Sequence, residues 1–245
     1  DFPGAGLVYV TSGDRDDVKG RQLFSVELDG GRLQRVSRED GTHDVSFAPD
    51  FETYTDRFQS ARAAPRETLH AASGAVVRRL AAVDPAPAEA AGLVPPEFLQ
   101  VPTSDGFLME AMMIKPAGWR SGRRYPVMSF TYSGPHAPQV RDVYYNRNAL
   151  FHQMLAQEGY LIWVCDNRSA SGKGLESVKG IYRDMGTQEL SDLEDGLDWL
   201  VAAGHADPDR IGLWGWSYGG YMTAFALTHS KRFKLGIVGA PVTDW

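Results

Sequence analysis

Apolar residues follow two different rhythms in this chain, and the change falls near residue 98. Before residue 80 they come in short runs broken by turn residues. Leu7 to Val10, Gln22 to Leu28, Leu33 to Ser37, Val45 to Phe47, Thr53 to Phe58, Glu67 to Ala71 and Val76 to Leu80 read as seven strands, with no convincing helix between them. Asp29-Gly30-Gly31 is a hairpin signal between the second and third. Residues 81 to 97, AAVDPAPAEAAGLVPPE, carry neither period and predict a linker, with a helical turn over Glu89 to Leu93. From there strands alternate with helices. Phe98 to Pro102, Leu108 to Lys115, Val127 to Tyr132, Leu161 to Cys165 and Leu235 to Gly239 read as strands, the last two as buried ones. Asn148 to Glu158, with Leu150, Met154 and Leu155 on one face, and Glu189 to Ala203 read as helices. In the latter Leu190, Leu193, Leu197, Leu200 and Val201 form one stripe. Asp192, Glu194, Asp195 and Asp198 are expected to face water as a solvated surface rather than to bind metal.

These rhythms divide the chain into an all-β segment over 1–80, a linker over 81–97 and an α/β segment over 98–245. Seven strands make about two four-stranded units, too few to bury both faces or close a ring, so the first segment is expected to be the tail of a repeated all-β structure. Residues 41 to 60, GTHDVSFAPDFETYTDRFQS, look like a propeller-blade repeat: a strand, a Pro-Asp turn and a second strand. A small independent sandwich is the alternative. Alternating strands and helices predict a mostly parallel sheet with helices on both faces and a site at the carboxyl ends of the strands.

One stretch carries chemistry. In IGLWGWSYGGYM, residues 211 to 222, an apolar run leads into Gly215-Trp216-Ser217-Tyr218-Gly219, and apolar residues then continue at helical spacing. This is the G-x-S-x-G pattern of a nucleophile elbow. The serine needs a strained turn that lifts its hydroxyl clear of the sheet edge, and a Cβ at the flanking glycines would crowd the neighbouring strand and helix. Ser217 is the candidate nucleophile. The Tyr218 amide, at the start of the helix, is the natural donor to a developing oxyanion. A plain Ser-Gly turn before a helix is the bland alternative.

Composition narrows the function classes. With 245 residues and 43% apolar content the chain can build a packed core. A formal net charge of -6 gives no electrostatic reason to expect nucleic acid or an anionic membrane as a partner. No apolar run is long enough to span a bilayer, and no targeting segment opens the chain. Cys165 is the only cysteine. It excludes an intrachain disulfide and a cysteine-based metal site, and it reads as an inert core residue. No metal and no cofactor are expected. The absence of a start methionine and the abrupt end at Trp245 are read as marks of a piece of a longer polypeptide.

The second half resembles the catalytic domain of the prolyl oligopeptidase family of serine peptidases, and within it the dipeptidyl peptidase IV-like subfamily. The residues that carry the resemblance are Gly215 to Tyr221 with Trp216 before the serine, Tyr132-Ser133-Gly134-Pro135 after a strand, and Ala240-Pro241-Val242-Thr243-Asp244-Trp245. The first half, including Asp44 to Leu69, is similar to the last blades of that subfamily's propeller. The resemblance implies an α/β hydrolase, truncated here, preceded by the end of a β-propeller. It implies that the Tyr132 hydroxyl joins the Tyr218 amide in an oxyanion hole, and that Tyr218, Val242 and Trp245 line a small apolar pocket suited to Pro or Ala before the cleaved bond. Unaided, Tyr132 reads as a strand-end tyrosine, and Val242 with Trp245 as a strand-end pair covering the core. Asp166 to Gly172 departs from the family's glycine-richer form and is taken as a loop beside the site, with a structural Arg168. The partner implied is a peptide substrate; a homodimer would form through regions outside these residues.

A triad is incomplete. In this fold the order is serine, acid, histidine, and 28 residues follow Ser217. They contain one histidine, His229, three helical turns or roughly 16 Å further on. His43, His70, His136, His152 and His205 precede the serine and are expected to be surface or satisfied histidines. The reading is a serine peptidase that releases dipeptides after Pro or Ala through an acyl-enzyme on Ser217, with these residues alone inactive. Dipeptide release itself rests on the resemblance, because the amine-recognising acids are absent. An esterase or lipase on the same fold and a non-enzymatic interaction scaffold are the alternatives.

Overall fold

A computed structural model describes residues 6–14, 17–145 and 148–243. The chain forms two compact units, one of Asp1–Leu93 with Arg141–Asn146, the other of Val94–Val140 with Arg147–Trp245. The division falls inside the predicted linker. That residues 141 to 146 go with the first unit is not visible in the linear pattern.

The first unit consists of two antiparallel meanders. β1 (Leu7–Ser12), β2 (Gln22–Glu27) and β3 (Leu33–Arg35) make a three-stranded sheet; β4 (Thr42–Phe47), β5 (Thr53–Ser60), β6 (Ala63–Ala71) and β7 (Val76–Ala82) make a four-stranded one. All seven predicted strands are present. Gly30, with φ 77°, turns the β2–β3 hairpin, and the Gly31 amide is held by Asp29 Oδ1 at 2.8 Å. Alternation along β5 buries Tyr54, Asp56 and Phe58, and Asp56 accepts from His43 Nδ1 at 2.7 Å. The segment after Val140 is tied to this unit: Asp142 Oδ1 accepts from Ala61 N at 2.6 Å, and the Asp142 carbonyl from Thr42 Oγ1 at 2.7 Å. The helical turn α1 (Ala86–Ala90) starts earlier than expected. Pro85 and Pro87 tolerate a first turn because their missing N–H groups have no helical partner there, and Asp84 Oδ1 accepts from Ala86 N at 3.0 Å.

The second unit is built on a six-stranded mixed sheet. Its strands are β8 (Glu97–Pro102), β9 (Leu108–Ile114), β10 (Tyr125–Phe130), β11 (Leu161–Cys165), β12 (Ala206–Trp216) and β13 (Leu235–Gly239), in the spatial order β13-β12-β10-β11-β9-β8. The three pairings among β10, β11, β12 and β13 are parallel; β8 and β9 join as an antiparallel hairpin whose β9 edge pairs with β11. The helices are α2 (Ala149–Gln157), α3 (Leu175–Val178), α4 (Thr187–Ala202) and α5 (Tyr218–His229), with a 3-10 turn at Lys179–Ile181.

Strand alternation assigns the helices to opposite faces. Met109, Ala111, Met113, Val127, Leu161, Trp163, Ile211 and Leu213 pack with the α4 stripe of Leu190, Leu193, Leu197 and Leu200 and with Met222 and Ala226 of α5. The intervening residues Met128, Ile162 and Ile114 pack with Ala156 of α2. Each such side chain removed from water contributes about 1.5–3 kcal/mol, which is why continuous apolar runs settle at the sheet centre. Cys165 is buried in this core, and burial raises its thiol pKa.

Four expectations are corrected by this packing. β13, expected to be a buried strand, is the edge strand of the sheet and leaves Leu235, Ile237 and Val238 exposed. The buried face of α2 is Ala149, His152, Gln153 and Ala156, whereas Leu150 and Met154 are 69% and 51% exposed. The Gln153 amide explains the choice, since it closes on both the N–H and the carbonyl of Val94, at 3.0 and 2.6 Å. His152 is neither a surface nor a satisfied histidine. It is 1% exposed among Phe130, Phe151 and Trp214, Nε2 has no partner, and burial pushes its pKa down to about 4. Asp192 does not face water. It is fully buried and accepts from the Arg168 amide at 2.8 Å and from the Arg168 guanidinium at 2.8 to 3.1 Å, while the guanidinium reaches Asp105 on its other side at 2.8 and 2.9 Å. A helical wheel places Asp192 well outside the apolar stripe, and its burial is made tolerable by the arriving arginine and by Gln188 Nε2, which donates to it at 3.0 Å.

Asp192→Ala is expected to cost about 3 kcal/mol, because it leaves a half-paired, largely buried guanidinium. A lowered urea midpoint with an unchanged slope would show it.

Candidate active site

β12 ends at Trp216 and α5 begins at Tyr218, so the single residue Ser217 makes the whole turn. Its φ of 58° and ψ of -117° lie where an L-residue is strained. The turn is clamped on both sides: Ser217 N donates to Gly239 O at 2.9 Å, and Tyr221 N to Ser217 O at 3.0 Å. Around it main chain runs against main chain. A Cβ on Gly215 would lie 2.4 Å from Gly219 O, one on Gly219 2.2 Å from Thr131 O, and one on Gly220 2.3 Å from Gly239 O. Glycine is required at all three by this approach, which draws β10, β12, α5 and the residues after β13 together at one point.

Tyr132 follows β10 at the same end of the parallel strands. Its ring centroid is 6.2 Å from that of Tyr218. Two backbone features hold it there. Ser133 has φ 60°, and a Cβ on Gly134 would meet the Tyr132 ring at 2.5 Å, so the ring lies folded over the glycine. The loop that continues from Gly134 is pinned by Asp166, at the end of β11, which accepts from the amides of Gln139 and Val140 at 2.8 to 3.0 Å. Burial pushes Asp166 up to about 7, against the pull of those two N–H groups. His136, in the same loop, is exposed.

Tyr218 has two sides. Its backbone N–H opens α5, where first-turn amides face back along the axis with partial positive charge. Its ring is 6% exposed in the core, and the phenol donates to Glu189 Oε1 at 2.6 Å. Burial, and then that hydrogen bond, push the phenol well above the ordinary tyrosine range, so it remains a donor. Val242 is 36% exposed. Its neighbour Pro241 lies under Gly220, where an added Cβ would meet the Pro241 Cα at 3.2 Å. Trp245 and Asp244 lie outside the described residues. Trp216 is 63% exposed, and its ring covers Gly239.

The elbow, Tyr132, Tyr218 and the residues following β13 are thus gathered at the carboxyl ends of the parallel strands. Among the histidines, His43 and His70 belong to the first unit. His229 stands at the far end of α5, stacked on Phe225 at 3.9 Å. Among the described residues no group of three His, Cys, Asp or Glu side chains is arranged to hold a metal, and no helix is long and apolar enough to cross a membrane.

Two supporting residues escaped the reading of the sequence. Glu189 is fully buried under α5. The signal available was its place three residues after Gly186, which is the spacing of a helix cap. Asp166 was read only as the start of a loop beside the site, and its hold on the amides of Gln139 and Val140 was not visible.

Comparison with known proteins bears on these features. A family described as the prolyl oligopeptidase family matches residues 148–245. Dipeptidyl peptidase 8 of Homo sapiens is 36% identical over 153 residues, which are 62% of this chain and 17% of that protein. A probable dipeptidyl-aminopeptidase B of Aspergillus oryzae is 26% identical over 249 residues, 98% of this chain and 27% of that one. Among solved structures, dipeptidyl peptidase 4 of Porphyromonas gingivalis superposes with a TM-score of 0.89 at 29% identity, covering 99% of this chain and 34% of that one. The neighbour implies an architecture of β-propeller followed by α/β hydrolase. The chain spans between 17% and 34% of the length of these proteins.

Gly219→Ala is expected to destabilise the second unit by about 2 kcal/mol or more, because backbone cannot move aside as a side chain can. Thermal melting beside Gly180→Ala, where φ is not positive and the added Cβ meets only the Gln188 side chain at 3.4 Å, separates crowding from the loss of a glycine. Asp166 gives a pH signature. Its folded pKa lies above the unfolded value, so the folded state holds the extra proton, and stability falls as pH rises from about 4 to about 7. Asp166→Asn is expected to flatten that part of the stability curve; an unchanged slope would show that Asp166 does not carry it.

Proposed function

We propose that the chain, whose residues 148–245 match the prolyl oligopeptidase family, belongs to that family of serine peptidases and acts in a serine-type dipeptidyl peptidase whose nucleophile is Ser217. The observation that carries the reading is the strained backbone of Ser217 at the strand-to-helix junction, held by three glycines that admit no side chain. Strain of this kind persists only where surrounding contacts enforce it, and here it falls on the one residue between β12 and α5.

In the proposed reaction the Ser217 oxygen attacks the carbonyl carbon of the scissile bond as its proton passes to a base. The Oγ–C bond forms and the carbonyl oxygen takes the negative charge. The Tyr218 amide and the Tyr132 hydroxyl are assigned to that oxygen, one at the positive end of α5 and the other on the ring that stands 6.2 Å from the Tyr218 ring. Collapse of the intermediate breaks the C–N bond, the amine leaves with the proton from the base, and water then releases the acyl group by the same steps in reverse order. His229 stands at the wrong end of its helix to be the base. The proposal therefore assigns the base and its orienting acid to residues outside this sequence, and expects the 245 residues alone to be inactive.

Tyr218, Val242 and Trp245 are assigned to an apolar pocket for Pro or Ala before the cleaved bond. The names of the relatives support release of dipeptides from peptide N-termini, as does the resemblance of Tyr132-Ser133-Gly134-Pro135 to the dipeptidyl branch. No cofactor enters the scheme.

Two measurements on the full-length protein test it. A fluorophosphonate probe is expected to label the wild type and not Ser217→Ala; a labelled Ser217→Ala protein would move the nucleophile elsewhere. Turnover of Gly-Pro amides over short-chain esters separates a peptidase from an esterase on this fold. In addition, Tyr132→Phe is expected to fold normally and to lose about a hundredfold in kcat with little change in KM, the usual cost of one oxyanion donor. An unchanged kcat would remove Tyr132 from the mechanism.

A further inference from the structure

Glu189 lies in the first turn of α4 and is fully buried. Both of its oxygens are in use. Oε2 accepts from the Gly186 amide at 2.8 Å, which caps the helix, and Oε1 accepts from the Tyr218 hydroxyl at 2.6 Å. Capping alone does not require such depth. A helix start can be capped at the surface, whereas taking a carboxylate out of water is costly unless donors occupy its lone pairs. The second donor here is the side chain of the residue next to Ser217.

The start of α4 is held against α5 by shape as well. Gly186 has φ 106°, and a Cβ there would meet the Phe225 ring at 2.9 Å, so backbone and ring are in direct contact. The carboxylate is thereby carried on a rigid element and brought to the first residue of the elbow helix. The Tyr218 ring is wedged between Tyr221, edge-on at 5.8 Å, and Tyr132 at 6.2 Å. Tyr221 is itself tied to the Met185 carbonyl at 2.9 Å, one residue before Gly186. Two tyrosines of the first turn of α5 are thus fastened to the start of α4.

We propose that Glu189 is a positioning residue for acyl transfer: its hydrogen bond to the Tyr218 phenol orients the residue that supplies the oxyanion amide and sets one wall of the adjoining apolar pocket. This rests on the reading of Ser217 as nucleophile. A phenol bonded to a carboxylate is fixed in direction as well as in place, which a phenylalanine filling the same volume would not be. Small displacements of an oxyanion donor act on the transition state more than on the bound substrate, so the effect belongs in kcat.

The test uses the full-length protein with Glu189→Ala, Glu189→Gln and Tyr218→Phe. Glutamine keeps an acceptor for the Gly186 amide and presents an NH2 group that can donate a hydrogen bond to the Tyr218 oxygen. Glu189→Ala and Tyr218→Phe are expected to lower kcat on a Gly-Pro amide about tenfold with KM within about twofold, and Glu189→Gln to retain at least about a third of kcat. The rate of fluorophosphonate labelling at Ser217 should fall in parallel. If Glu189→Ala does not fold, Tyr218→Phe, which keeps the ring and all backbone contacts, carries the test. Variants that melt earlier but keep the wild-type kcat and labelling rate would make Glu189 a helix cap only and overturn the inference. An unlabelled wild type would overturn the reading of Ser217 and this inference with it, so the two failures are distinct.

Discussion

Backbone meets backbone at three places around Ser217, and the rest of the second unit is arranged so that it can. The carbonyls of Thr131, Gly219 and Gly239 each stand where a side chain on Gly215, Gly219 or Gly220 would have to go. An approach this close leaves no room for adjustment, so the turn must take up the strain itself. Ser217 bears it, at a φ that an L-residue adopts only under constraint. The strain is sustained by the sheet behind it, whose central strands β9, β10 and β11 are buried almost throughout and supply far more stabilisation than one unfavourable residue removes.

Polar groups beneath that apolar framework decide where the site's components stand. Asp192 anchors Arg168, Asp166 anchors the loop that follows Tyr132, and Glu189 anchors Tyr218. Each is a carboxyl removed from water, and each is held by backbone or side-chain donors arriving from another part of the chain. Such groups add little net stability compared with apolar residues of the same size. What they add is direction, since a hydrogen bond fixes an orientation that packing leaves loose. The elbow fixes one hydroxyl, and these three carboxyls fix what surrounds it.

The first unit follows a simpler logic. Its two meanders need only alternation and turns, and Asp29, Gly30 and Gly31 place the β2–β3 hairpin without help from distant residues. A buried hydrogen bond between His43 and Asp56 closes across the adjacent strands β4 and β5. The likeness to longer dipeptidyl peptidases extends over this unit as well as over the elbow, although the family match itself begins only at residue 148.

Elements whose signals are local were legible in the sequence: the seven strands of the first unit, the stripe of α4, the buried run of β11, and the elbow with its three glycines. Period and turn chemistry depend on neighbours a few residues away, which the chain order contains. What depends on distant partners was not legible. Asp192 and Asp198 lie on the same helix and read alike, yet the first is buried because Arg168 reaches it and the second is exposed. Leu150 and Met154 looked like the inner face of α2 until Gln153 was seen to bind Val94, 59 residues earlier. The use of Glu189 on Tyr218 was hidden for the same reason, because burial of a charge is decided by whichever donor the tertiary fold delivers to it.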